Sequence, residues 1–190
     1  MAEEKTDIWW NDILNFVPET EQEQSDSQII LDLITKNPHK ILYRESRTAH
    51  MTVSGFIVNE ARDKVLLLHH NIYRTWTWSG GHADGESDLL AVALREATEE
   101  TGVTQIHPLS KKIVSLDILP VFGHVKKGKY VSAHLHLNAS YALTASESCE
   151  LRIKEDENSG VRWFPFEEIE KVSGEPEICR IYRKILNRIL

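Results

Sequence analysis

Cysteine is scarce: the 190 residues contain only Cys149 and Cys179, and neither belongs to a CxxC pair. Their separation excludes a paired-thiol motif and fits two reduced thiols in a cytosolic protein. Long apolar runs are also missing, and none approaches the about 20 residues that cross a bilayer. The first residues, Met1-Ala-Glu-Glu-Lys-Thr-Asp, lack the basic patch and apolar stretch of a secretory signal, so a cytoplasmic protein with no membrane association is expected. Positive charge is in deficit, with 22 Lys and Arg against 29 Asp and Glu for a formal net charge of −7. That balance argues against stable nucleic-acid binding. It also means that a phosphorylated small molecule would need local help, which divalent cations usually supply. No GxSxG motif and no Cys–His catalytic pairing is present, so a protein nucleophile is not expected.

What is present is ordinary for a globular chain: 41% hydrophobic and 27% charged residues, enough for one domain plus an extension. Residues 1–45 read as an N-terminal helical extension, and residues 46–190 as the main domain. In the extension, Ile8, Trp9, Ile13, Leu14 and Phe16 recur at helical spacing before Pro18. A polar acidic stretch, Glu19 to Ser27, separates them from a second stripe of Ile29, Ile30, Leu33 and Ile34 that Asn37-Pro38 stops. The Trp9-Trp10 pair either packs the extension onto the main domain or serves as a lid or homodimer contact. In the main domain, Met51–Asn59, Lys64–His70, Ile113–Val121, Tyr130–Leu143 and Val161–Phe164 read as strands. The spacing predicts a strong helix over Asp88–Thr101, and closing helices over Phe166–Lys171 and Glu175–Leu190. Strands joined both by turns and by helices predict an α/β (α+β) fold, with a mixed sheet and helices on its faces.

The chemistry concentrates in Gly80–Val103. Leu89, Leu90, Val92, Ala93 and Ala97 give the helix an apolar stripe, while Glu96, Glu99 and Glu100, at i, i+3 and i+4, share another face. Like charges at this spacing repel by a few tenths of a kcal/mol per pair. They also lie in the C-terminal half of the helix, where the macrodipole disfavours anions. The cluster is either a solvated acidic face or a site that wants a cation, and hard oxygen donors without cysteine suit Mg²⁺ or Mn²⁺. The surrounding residues favour the second alternative. Gly80, Gly81 and Gly85 let the backbone approach a ligand closely, Gly102 ends the helix, and Arg95 reaches Glu99 at i+4.

This segment resembles the signature box of the Nudix hydrolase family, GX5EX7REUXEEXGU with U aliphatic. Gly81, Arg95, Glu96, Glu99, Glu100, Gly102 and Val103 match, and Ala97 is a small occupant of the first U position. One position departs: Ser87 stands where the family has its first Glu, between Glu86 and Asp88, either of which is a candidate substitute. The resemblance implies an α/β/α sandwich and a Mg²⁺-dependent (or Mn²⁺-dependent) diphosphohydrolase. Its reaction would be metal-assisted attack of water on a nucleoside diphosphate linked to another moiety. It further implies that Glu99 and Glu100 are the principal metal ligands, that Glu96 binds a second metal or orients the water, that the Gly80 carbonyl faces the metal, and that Arg95 orients the glutamates. A further acidic ligand or general base is expected from the loop before the last strand, with Glu157 preferred over Glu155. Two alternatives follow. One is a catalytically weak Nudix-like nucleotide-binding or regulatory module, which Ser87 favours. The other is an allylic-diphosphate isomerase, which would want a Cys near the glycine loop, where this chain has none.

Outside the box, Arg74, Trp76 and His82 are candidate substrate contacts: the guanidinium or imidazole for phosphate, the indole for a base. His69-His70, and His134 with His136 on one strand face, are either core and surface side chains or substrate contacts. Trp76 and Trp78 alternate onto one side, where core packing competes with base stacking. Lys126, Lys127 and Lys129 form a basic turn, either a solvated hairpin tip or a phosphate contact.

Overall fold

Thr20 opens the first long helix: its hydroxyl accepts the Glu23 N–H at 3.2 Å, with Glu21 and Glu23 in the first turn where the macrodipole favours anions. In the computed structural model, which describes residues 9–126 and 128–190, this helix (α2, Glu21–Lys36) follows a single-turn helix, α1 (Asn11–Leu14). The chain continues through a 3₁₀ turn at Lys40–Leu42 to β1 (Ala49–Asn59), β2 (Lys64–His70), β3 (Trp76–Thr77) and β4 (Ser79–His82). Next come α3 (Leu89–Thr101), β5 (His107–Pro108), β6 (Ser115–Val121), β7 (His124–Lys126), β8 (Lys129–Val131), β9 (His134–Ala145) and β10 (Asn158–Pro165). A 3₁₀ turn at Phe166–Glu168, α4 (Ile169–Val172) and α5 (Pro176–Ile189) close it.

The fold is a mixed α/β one. An 8-stranded sheet runs in the order β10-β2-β1-β9-β5, with β4 also on β1, β3 on β2 and β6 on β9. β1 and β9 pair in parallel over their lengths, from Ala49↔Leu135 to Asn59↔Ala145, while the other ladders are antiparallel. All eleven residues of β1 are buried, as expected for a central strand covered on both faces. Its side chains alternate between two cores. Met51, Val53 and Ile57 pack with Ile30 and Ile34 of α2 and Val92 of α3. Phe56 and Val58 pack with Ile181, Tyr182 and Ile185 of α5. Among the described residues no helix is long and apolar enough to cross a membrane.

Several elements differ from the sequence expectation. The helix expected around Ile8–Phe16 is only four residues long, and Ile8 lies outside the described residues. So short a helix has little stability of its own, and it is held by burial of Ile13 and by the neighbouring Trp9 indole, which donates to the Pro38 carbonyl at 3.0 Å. Trp9 and Trp10 meet edge to face and pack against the α3-side core. The acidic stretch from Glu21 to Ser27 is helical, because Glu23 is buried against Lys184 and Arg188 of α5. Asp26 accepts the Ile118 N–H at 3.0 Å, occupying part of the free edge of β6. The strand expected over Tyr130–Leu143 is two strands. Ser132 and Ala133 lie outside the ladders, so β8 pairs with β7 in a separate hairpin while β9 enters the main sheet. The basic turn therefore sits on that hairpin, and its Lys127 lies outside the described residues.

Candidate active site

β4 and the start of α3 build the site. Asp88 caps α3, accepting the Ala91 N–H at 3.0 Å, and Gly102 ends it in the left-handed region at φ 75°. Leu89, Val92, Ala93 and Ala97 bury the apolar stripe. Ala97 lies over Gly55 of β1, so its small side chain lets the helix sit close to the sheet. Close approach is also required at Gly81: a Cβ there would stand 2.5 Å from Cδ of Glu96, so only glycine allows that carboxylate to lie against β4.

The acidic face thus turns to the glycine strand. The Gly80 N–H donates to Glu100 Oε2 at 2.9 Å, and Asn158 Nδ2 donates to the Glu100 carbonyl at 2.9 Å, tying β10 to the end of α3. Glu157, in the loop before β10, lies close enough to the Glu100 carboxyl to help raise its pKa. Lys154 Nζ lies 3.2 Å from both Glu99 Oε2 and Glu157 Oε2. Arg95 pairs with Glu86, with Glu96 at 3.2 Å and with Glu99 at 3.8 Å. Glu86 therefore neutralises Arg95 beside Ser87, while Asp88 serves as the helix cap.

Electrostatics single out Glu100. It is 4% exposed, and its pKa is pushed up to about 8, chiefly by burial and further by Glu157 and Glu96, against the pull of the Gly80 N–H. Burial also raises Glu96, against Arg95. The site is short of positive charge, and Lys154 already places one cation between Glu99 and Glu157. A divalent cation with hard oxygen preference fits this donor set: the carboxylates of Glu96, Glu99, Glu100 and Glu157, with the Gly80 carbonyl on the adjoining strand.

The structure brings together Gly80, Arg95, Glu96, Glu99, Glu100 and Glu157. Glu155 is exposed, and its carbonyl accepts from Asn71 Nδ2. Arg74 is exposed at φ 54° in the turn between β2 and β3. That turn is tied to the carboxylate loop, because the Asn71 N–H donates to the Glu157 carbonyl at 3.0 Å. Trp76 is partly exposed and packs edge-on to Phe164 and His69, whereas Trp78 is buried against Tyr182. His70 stays in its own turn, where Nδ1 accepts the Ile72 N–H at 3.1 Å. His82 lies beside His50 and His136, at ring-centroid distances of 5.1 and 4.9 Å. Burial, with the neighbouring histidines, holds His136 down at about 2. Sequence reasoning missed Lys154 and Asn158 as parts of the site, because only the β10–β2 pairing brings their loop to the end of α3.

A family model described as the NUDIX domain matches residues 48–185. No curated protein sequence matches the chain. Among solved structures the chain is similar to a C. elegans Ap4A hydrolase binary complex, at 19% identity and TM-score 0.53, covering 73% of this chain and 96% of that one. It is similar to a NUDIX-family hydrolase from Clostridium perfringens, at 22% identity and TM-score 0.54, covering 74% and 98%. It is also similar to the NUDIX domain of Shewanella oneidensis NrtR complexed with ADP ribose, at 16% identity and TM-score 0.55, covering 84% and 98%. At these identities the likeness to solved structures is one of fold.

Proposed function

The chain belongs to the Nudix family, and from that premise we propose that it hydrolyses a diphosphate linkage in a nucleoside diphosphate joined to another moiety, with Mg²⁺ or Mn²⁺ as cofactor. One observation supports this reading above the others: Glu100 is buried beside Glu96 and Glu157 with one backbone N–H to offset its charge. A structural carboxylate in that position would be expected to have a cationic side chain against it.

Glu96, Glu99 and Glu100, with the Gly80 carbonyl, would hold the cation. When bound, it would neutralise charge on the diphosphate oxygens and acidify a water. The chain's own residues supply the rest. Arg95, anchored by Glu86, fixes Glu96 and Glu99. Gly80 aims the Glu100 carboxylate through its N–H. Glu157 takes the proton of the attacking water, and Lys154 steadies Glu157 and Glu99 in the absence of substrate. Arg74 and Trp76, on the elements adjoining the Glu157 loop, contact the substrate phosphate and base. The family-matched stretch after the first 45 residues is the catalytic domain, to which the N-terminal helices add core.

The test is product release from a panel of nucleotides and nucleotide conjugates with Mg²⁺, with Mn²⁺ and with chelator. Metal-dependent turnover that falls on the order of 10²–10³-fold in Glu100→Gln supports the hydrolase, this being the scale of losing one preorganised electrostatic group. Metal-dependent binding of a panel member without turnover would instead establish a binding module.

A further inference from the structure

Four histidines meet at one end of the sheet. His50 lies on β1, His82 on β4, and His134 and His136 on β9, placed together by the registers His50↔His136 and Thr52↔His82. One ring nitrogen from each of His50, His82 and His136 lies within 4.8 Å of the others. His134 Nε2 is 3.2 Å from His136 Nε2. Strand alternation puts this group on the face away from the carboxylates. Gly81, between Gly80 and His82, faces Glu96, whereas a Cβ on Gly80 would meet Ser54, which shares its face of β1 with His50.

The hydrogen bonds determine which nitrogens are bare. His50 Nδ1 is 3.1 Å from the Ser46 carbonyl and His134 Nδ1 is 2.8 Å from the Ser132 carbonyl. A carbonyl only accepts, so both Nδ1 atoms carry the proton; His50 Nε2 presents a lone pair, and His134 Nε2 accepts from His136 Nε2–H, a bond that a shared ion would replace. His50 is 4% exposed, and its Nε2 has no hydrogen-bond partner among the described residues. A buried, unpartnered lone pair is costly unless something fills the space before it. A backbone carbonyl holding Nδ1–H while Nε2 points inward is also the usual support of a metal-ligating histidine.

We propose that His50, His82 and His136, with His134 beside them, bind one divalent transition-metal ion of the Zn²⁺ class, at a site distinct from the carboxylate cluster. Imidazole nitrogens without carboxylates select borderline ions such as Zn²⁺ or Co²⁺ over Mg²⁺. Nitrogens bound to tetrahedral zinc at about 2.0–2.1 Å stand about 3.4 Å apart. The His134–His136 spacing already meets this, and the trio's ligand atoms lie within 4.8 Å of one another. The ion would tie β1, β4 and β9 together immediately after the glycine strand, giving His82 a role as ligand in place of a phosphate contact.

The test uses the full chain, stripped with chelator, refilled with excess Mg²⁺ to occupy the carboxylates, and titrated with Co²⁺ and Zn²⁺. The expected result is one equivalent of Co²⁺ with the strong visible absorption of a low-coordinate nitrogen site. That absorption should be kept in Glu100→Gln and lost in His50→Gln and His136→Gln. Zn²⁺ affinity should fall roughly 100-fold or more in the histidine variants, beyond the 10–100-fold worth of outer partners. Failure to take up Co²⁺ beside Mg²⁺ overturns the proposal, as does absorption that survives the histidine variants and vanishes in Glu100→Gln. Should those variants not fold, long-range ¹H–¹⁵N spectra of the wild type decide. Zn²⁺ must shift the His50, His82 and His136 ring nitrogens, and unchanged signals overturn the proposal.

Discussion

Glu23 and Glu100 are 0% and 4% exposed, and they sit in opposite electrostatic settings. Burial pushes Glu23 up, but Arg188, the Glu19 N–H and Lys184 outweigh it, so its carboxyl ends below the usual range. Arg188 Nη2 is 2.5 Å and Lys184 Nζ 3.1 Å from its oxygens, and Lys184 also reaches Asp117 at 2.5 Å. Among the described residues Glu100 has only the Gly80 N–H and two carboxylate neighbours, so burial wins and its pKa rises to about 8. The first cluster is complete within the chain and joins α2, β6 and α5. The second is left with a surplus of negative charge, which is the condition for binding a cation.

The sharpest break in this contrast is Glu23→Ala. It strands Arg188 and Lys184 without their shared partner and should cost about 3–5 kcal/mol, the scale for halving a buried pair, measured by urea unfolding. Glu100→Gln should abolish most turnover while leaving the metal-free fold as stable as the wild type or more so at alkaline pH, seen in the same unfolding series. The pH dependence should separate the two residues by sign. Glu100, raised above the ordinary 4.5, contributes stability that is fully present below about pH 4.5 and is lost as pH rises through about 8. Glu23, lowered, contributes stability that is present above 4.5 and is lost as pH falls through its folded value. Metal-free melts should therefore weaken between pH 4.5 and 8 by at most about 1.4 kcal/mol per pH unit from Glu100, and saturating Mg²⁺ should remove that slope. A slope unchanged in Glu100→Gln would assign it to other groups.

Smaller effects test the rim. Lys154→Met frees Glu99 and Glu157 from an internal cation and should tighten Mg²⁺ binding, by roughly 10-fold or less on the scale of outer-sphere partners. Calorimetric titration reads this, and weaker binding would mean that Lys154 organises the site instead of competing for it. Ser87→Glu should change stability by less than about 0.5 kcal/mol, as surface substitutions do. Its effect on turnover should also be slight, because Glu86 already pairs with Arg95; a large gain would show that Glu86 substitutes poorly.

Much of this was legible beforehand because it is local. The apolar period of Leu89, Val92, Ala93 and Ala97, the Asp88 cap and the Gly102 stop specify α3 within one stretch of chain, and the same period puts Glu96, Glu99 and Glu100 on one face. The glycines before the helix and the mixed order of strands and helices were equally readable. Misreadings arose where distant partners override local pattern. Glu19 to Ser27 reads as a polar acidic stretch between two apolar stripes until Lys184 and Arg188 arrive from the other end of the chain to bury Glu23. Tyr130–Leu143 reads as one strand, yet it divides because β8 and β9 find partners in different sheets.

The sequence by itself determined the helix, its carboxylates, the glycine strand and the family that this pattern identifies, since side chains a few residues apart need only helical or strand geometry to meet. Tertiary structure alone decided that Lys154 joins those carboxylates, that Glu100 rather than its neighbours is the buried one, and that His50 meets His82 and His136. Those juxtapositions depend on the parallel register of β1 with β9 and on the pairing of β10 with β2. Such registers are set by packing between segments far apart in the chain, which no local period encodes.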